Sequence, residues 1–276
     1  MDKEFWAEIQ KNQYEIPAGQ TLAGLTRELF SYLGSTDPQL RDDIGYIVFA
    51  NWLKQDRYSV EEIRAYIKKL LANLHIGIGE NESDSVFLRT FSVLFLAEIV
   101  HNDNKKRLLE KADITPVLEQ GLWYIASEKD PRGYIPVLGW AHALAHTADL
   151  LMVLARNRHL EEPDFLNILN AISEKIIHST NYIYIHGEDE RLASAVNQIL
   201  RRDQILVENI KAWAGSFTKH DWADAYTDEY HNRAFQNTRN LLRSIYLELK
   251  QSKEGGSKQV EFESIFLEAI ENLKPF

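Results

Sequence analysis

Four stretches of this chain repeat one kind of helix at a nearly constant interval, and that repetition limits its possible folds more than any motif does. They are LRDDIGYIVFANWL from Leu40, LRTFSVLFLAEIV from Leu88, GWAHALAHTADLLMVL from Gly139 and ERLASAVNQILRR from Glu190. Their second positions, Arg41, Arg89, Trp140 and Arg191, are spaced by 48, 51 and 51 residues. Each stretch is apolar on most sides, as a buried helix must be. Between consecutive ones lies a more amphipathic helix, such as SVEEIRAYIKKLLANL or EEPDFLNILNAISEKIIHS. A two-helix unit recurring about every fifty residues predicts an all-α fold, a HEAT/armadillo-like α-α superhelix of helical hairpins. In such a superhelix the four stretches would line one concave face.

Local signals agree with helix throughout. Asp37 followed by Pro38 reads as a cap with proline at the first helical position. Ser59 with Glu62 three residues on is a capping-box signature, and Ile63, Tyr66, Ile67, Leu70 and Leu71 share one face behind it. The periodicity predicts roughly ten to twelve helices. The one strand-like stretch is NYIYIHG at 181–187, which alternates at period two. Residues 1–250 read as a single helical-repeat domain. Residues 251–276 read as a Gly/Ser/Lys linker and a C-terminal capping helix, with KQSKEGGSKQVEFE as the linker.

Composition narrows the function. With 31 basic and 41 acidic side chains the formal charge is −10, which repels nucleic-acid phosphates and anionic lipid. There is no cysteine, so disulfides, thiolate catalysis and cysteine-ligated metal are excluded. The absence also fits a reducing compartment. MDKEFWAEIQKNQYEIPAG lacks the basic-then-apolar order of a signal peptide. No membrane span is expected, because the nearest candidate, YIPVLGWAHALAHTADLLMVLA, is broken by His142, His146 and Asp149. A cytoplasmic protein is the expectation. The chain also lacks a GxxxxGK[ST] phosphate loop, a GxGxxG turn and a GxSxG elbow, which disfavours P-loop phosphoryl transfer, dinucleotide chemistry and α/β-hydrolase chemistry.

GWAHALAHTADLL carries the strongest chemical signal. At about 100° per residue, His146, Asp149 and Arg156 fall within roughly 40° of His142 on the helix circumference. Nearly every other position is apolar, so a narrow polar stripe runs along a helix otherwise prepared for burial. Buried polar groups need partners, so the stripe faces a polar partner or a cavity. Histidines at i and i+4 can reach one metal ion, zinc or manganese here, with Asp149 as third ligand or as the group that orients His146. The glutamate that follows the first histidine in a zinc-protease helix is replaced by Ala143. A metal site, a ligand-binding or catalytic stripe and a structural network all remain open on these residues.

Other groups are placed around the stripe. Arg89 interrupts the most apolar helix and needs a buried partner, for which Asp42, Asp43 and Asp149 are the candidates. Asp43 would face the same concavity, Trp140 would wall a pocket, and Arg132 in the turn DPRGY would be available to an anion. Glu188 to Glu190 sit at a helix start, where carboxylates are ordinary capping residues.

The combination LRDDIGY, DSVFLRTFSVLFLAEIV, DPRGY, GWAHALAHTADLL and GEDERLASAV resembles a family of uncharacterised bacterial proteins, a domain of unknown function found widely in Firmicutes. The likeness runs over residues 20 to 250. Its most specific element is G-W-x-H-A-x-A-H-x-x-D, matched by Gly139, Trp140, His142, Ala143, Ala145, His146 and Asp149. The resemblance implies an all-helical, cytoplasmic protein and implies no activity.

Three functions follow as expectations. In the first, the concave face binds a small-molecule or peptide ligand through His142, His146, Asp149, Arg89 and Asp43, with Trp140 and Arg132 at its edge. In the second, the protein is a hydrolase with one divalent metal on His142 and His146 and with Asp43 or Glu188 as general base. In the third, it is a scaffold for protein partners without pocket chemistry.

Overall fold

The computed structural model describes residues 1–202, 204–252 and 258–274. Among these residues it is almost entirely helical. Two helices, α1 (Lys3–Lys11) and α2 (Leu22–Tyr32), precede a π-helical segment, Gln39–Tyr46, that runs without a break into α3 (Ile47–Lys54). Then follow α4 (Val60–Asn73), α5 (Ser85–Lys106), α6 (Lys111–Ser127), α7 (Ala143–Ala155) and α8 (Glu162–Ile177). The chain continues through α9 (Glu188–Leu200), α10 (Val207–Lys219), a 3₁₀ turn at Ala223–Tyr226, α11 (Glu229–Gln251) and α12 (Gln259–Asn272).

The helix starts obey local chemistry. Ser59 accepts from the Glu62 amide while the Glu62 carboxylate accepts from the Ser59 amide, which satisfies two otherwise orphaned donors. The same reciprocal arrangement opens α6 with Glu110 and Asp113, and α8 with Glu161 and Asp164.

Packing sorts the helices into two layers. In one, α3, α5, α7, α9 and α11 lie side by side in that order; in the other, α4, α6, α8, α10 and α12 do the same. The segments from Leu40, Leu88, Gly139 and Glu190 therefore all lie in the first layer. The C-terminal helix α12 packs on α10 and α11, and residues 253–257 of the expected linker lie outside the described residues.

The helix α5 is the centre of this arrangement. It is long and apolar enough to cross a membrane by length and composition alone, with mean hydropathy 1.2 over its most apolar stretch. Yet 72% of that stretch is buried inside the protein, as befits a helix with neighbours on all sides. Phe95 of α5 stacks on Phe49 of α3 with ring centroids 4.5 Å apart, and Phe30 meets both rings edge-on.

Two sequence expectations are corrected. NYIYIHG forms no strand. The only strands among the described residues are Tyr134–Ile135 (β1) and Gly139–Trp140 (β2), a two-residue antiparallel hairpin just before α7. Gly139 holds φ +80°, and a Cβ there would come within 2.8 Å of Pro38 Cβ, so only glycine allows the hairpin to sit against the π-helix. The hairpin takes the start of GWAHALAHTADLL out of the helix, so α7 begins only at Ala143.

The partner of Arg89 is also not one of the expected aspartates. Its guanidinium is fully buried and pairs with Glu128, the C-cap of α6, at 2.6 Å from Nε and 3.1 Å from Nη2. Nη1 donates to the carbonyls of Ile76 and Gly77 and to Ser85 Oγ. Glu128 in turn accepts from the amides of Lys129 and Asp130. Arg89 holds this carboxyl below its usual range against a burial effect that acts the other way. Every charge in the cluster is met, so it is a structural tie between the two layers. Arg89→Met, which strands the Glu128 carboxylate, is expected to cost about 3–5 kcal/mol in urea denaturation. A loss under about 1 kcal/mol would show that the pair carries no structural weight.

Candidate functional site

An open cleft of about 700 Å³ lies on the first layer, between the π-helix on one side and the start of α9 on the other. Asp42 and Tyr46 come from the π-helix, and Leu94, Ala97, Glu98 and His101 from α5. The hairpin and α7 supply Trp140, His142, His146, Asp149, Met152 and Val153. His186, in the loop before α9, and Arg191 on α9 complete it.

Of the residues singled out from sequence, this geometry brings together His142, His146, Asp149 and Trp140. Arg89, Asp43 and Arg132 lie elsewhere. Glu98 stands nine residues after Arg89, a rotation of about 180°, so the two occupy opposite sides of α5 and only Glu98 looks into the cleft. Asp43 is exposed, and its carbonyl accepts from Gln10; its neighbour Asp42 lines the wall instead. Arg132 is committed to Asp130 and to the Ser83 carbonyl. Glu188, a candidate general base, is buried and accepts from the His186 amide.

His142 is the most unusual residue in the wall. It precedes α7 with φ +52°, a left-handed conformation that side-chain-bearing residues adopt infrequently. The helical-wheel angle does not apply to it, yet its ring still lies edge-on to His146 with centroids 5.7 Å apart. It stacks on Trp140 at 4.2 Å. The residue is 5% exposed, and its buried Nε2 has no hydrogen-bond partner among the protein atoms. Burial, reinforced by the Arg191 and His186 charges, pushes its pKa down to about 4. His146, equally buried, shares a 2.9 Å hydrogen bond with Thr90 Oγ1 through Nδ1. Its pKa falls well below the usual value through burial, and His142 and Arg191 add to the effect. Both imidazoles are neutral at pH 7.

The carboxylates are not alike. Asp149 Oδ2 is 2.6 Å from Arg191 Nη1; burial raises its pKa and Arg191 opposes that. Asp42 Oδ2 lies 3.1 Å from Arg41 Nη2, but the two are not aligned as a hydrogen bond. Burial, with Asp43 adding to it, pushes Asp42 up to about 6. Glu98 Oε2 accepts from the Tyr46 hydroxyl at 3.2 Å, and the Tyr46 pKa is raised by burial and by Glu98. Among the described residues, no group of three His, Asp or Glu side chains is placed to hold a metal ion.

Sequence reading missed Arg41, Glu98, His101 and His186. Glu98 and His101 had a signal, since they interrupt the apolar run of α5 at i and i+3 beside Leu94 and Ala97. His186 was hidden inside the strand-like NYIYIHG.

The fold and cleft define an all-helical protein with a polar pocket rooted in its central helix. Residues 74–247, well over half of the chain, match the family described as protein of unknown function (DUF2785). The chain belongs to that family. The matched segment holds every cleft residue except Asp42 and Tyr46. No curated protein and no solved structure matches the chain.

The orphaned Nε2 and the left-handed backbone at His142 set a stability prediction. His142→Phe retains a ring against Trp140 and removes the unmet nitrogen, which costs about 1–3 kcal/mol when buried. The variant is expected to melt a few degrees higher at pH 7. A drop of more than about 1 kcal/mol would mean that Nε2 has a structural partner.

Acid sharpens the comparison. The folded His142 takes its proton near pH 4 and the unfolded one near 6.5. The unfolded state thus binds more protons between these values, and stability falls as pH drops through the window. Asp42 acts oppositely between 3.8 and about 6, because its folded carboxyl binds the proton more readily. His142→Phe should therefore lessen the acid destabilisation between pH 6.5 and 4, as read by chemical denaturation at each pH. An unchanged slope would contradict the account.

Proposed function

We propose that the chain is a HEAT/armadillo-like α-α superhelix, with helical hairpins recurring about every fifty residues, whose concave face binds a small-molecule or peptide ligand in this cleft. The alternating two-layer packing and the shared layer of the four segments support the superhelix. One observation carries the ligand reading: a buried imidazole nitrogen without a protein partner at the wall of an open polar cleft. Native proteins meet such groups, so one left unmet beside a cavity points to a group supplied from outside. The backbone strain at His142 and the π-helical segment that delivers Asp42 and Tyr46 are irregularities of the kind that collect at functional sites.

The metal-dependent hydrolase draws less support. Asp149 is held by Arg191, no group of three His, Asp or Glu side chains among the described residues is placed to hold a metal ion, and neither Asp43 nor Glu188 is at hand as a base. Elemental analysis of untagged protein, incubated with zinc or manganese, is expected to show no stoichiometric metal. Metal that binds one to one and is lost in His142→Ala would replace the ligand reading with the hydrolase. A pure scaffold would leave the cleft without a role.

The test is a thermal-shift screen of amino acids, dipeptides, nucleosides and sugars, run on the wild type and on His142→Phe. A ligand at 100 times its Kd stabilises by about 2.7 kcal/mol, well within detection. At least one compound class is expected to raise the melting temperature of the wild type and to lose most of that effect in the variant. Equal shifts in both proteins would remove the cleft from the function.

A further inference from the structure

The charge balance of the cleft says what chemistry would complete it. Its carboxylates are Asp42, Glu98 and Asp149, and its one arginine, Arg191, is occupied by Asp149. Arg41 lies beneath Asp42, but its Nη1 and Nη2 are drawn to the carbonyls of Ser35 and Leu138 at 2.7 and 2.8 Å. Among the described residues no ion pair neutralises Glu98, whose partner is the Tyr46 hydroxyl. The neutral imidazoles of His142 and His146 add no positive charge. With Asp42 paired to Arg41 and Asp149 to Arg191, Glu98 is the carboxylate left without a cation, so the cleft is net negative.

An unmet carboxylate oxygen points the same way. Asp42 Oδ2 is buried without a hydrogen bond, and when ionised it can only accept. His142 Nε2 is the second unmet atom, which accepts or donates according to which ring nitrogen carries the proton. A phosphate or carboxylate ligand would bring another acceptor to Asp42 and more negative charge to negative charge. A purely apolar ligand would leave both atoms unmet. A nitrogen cation supplies several N–H donors and the missing charge together.

We infer that the ligand of this cleft, on the reading proposed above, carries a protonated amine or guanidinium that meets Asp42 and Glu98, with its carbon stem against Trp140. Trp140 is 38% exposed and stands at the mouth, where its ring offers an apolar and quadrupolar face to such a stem. The chemical class is thus an aliphatic amine, a guanidine, or a peptide bearing a lysine or arginine side chain.

Three probes of similar length separate the possibilities by isothermal titration: agmatine as the cation, glutarate as the anion and 1,5-pentanediol as the neutral chain. Agmatine is expected to bind at least tenfold more tightly than either of the others. Asp42→Asn and Glu98→Gln should each weaken it by about tenfold. Glu98→Gln retains an acceptor for Tyr46 and carries the test if Asp42→Asn does not fold. Preferred binding of glutarate or pentanediol, or agmatine binding that both substitutions leave unchanged, would overturn the cationic class and leave the cleft as a binding site. Absence of agmatine binding also overturns it, whereas the cleft itself stands or falls separately on the broader thermal-shift screen.

Discussion

The cleft rests on one buried guanidinium. Arg41 is completely enclosed, lies over the faces of Phe87 and Phe91 at 4.1 and 4.8 Å, and donates to Ser35, Leu138 and, more weakly, Trp140 carbonyls. It thereby fastens the hairpin that carries Trp140 and His142 to the π-helix that carries Asp42 and Tyr46. A buried cation is costly unless its donors are met, and here backbone carbonyls meet Nη1 and Nη2, while Nε has no hydrogen-bond partner. This leaves Asp42 near a positive charge but without a hydrogen bond. The opposite result holds at Arg89, where Glu128 satisfies the guanidinium bidentately and the site is closed. The two buried arginines thus do different things: Arg89 locks the layers together, and Arg41 ties the hairpin to the π-helix at the cleft.

The difference explains what could be read in advance. The helical class, the capping box at Ser59 and the common layer of the four segments follow from periodicity and from short-range hydrogen-bond chemistry, which sequence states directly. The grouping of His142, His146, Asp149 and Trp140 followed from proximity along the chain. What failed were inferences across the chain. Aligning Arg89 with Arg41 and Arg191 equated their positions but not their azimuths on the helices, and the azimuth decides which side of α5 a residue serves. Glu128 was invisible as a partner because it sits at a helix end, where a carboxylate has no periodic pattern to betray it. The hairpin was invisible because two-residue strands have no period, although Gly139 marks where the backbone must turn.

Several local rules are broken in one place. A π-helix, a histidine in left-handed conformation, two unmet buried polar atoms and two neutralised imidazoles all border the same cleft. Agreement between local preference and global fold is what makes a sequence foldable, so departures that meet at one cleft mark where another requirement competes with stability. The matched family segment covers nearly all of these residues. That a buried imidazole at this wall stays neutral and unpartnered is the central physical claim.

Long-range ¹H–¹⁵N spectroscopy of the histidine side chains measures it directly. The account predicts that His142 stays neutral from pH 8 down to pH 5 and takes up its proton near pH 4. It also predicts that His146 takes up its proton only well below the usual histidine range. A His142 ring that titrates near 6.5, or that is charged and hydrogen-bonded at pH 7, would contradict it.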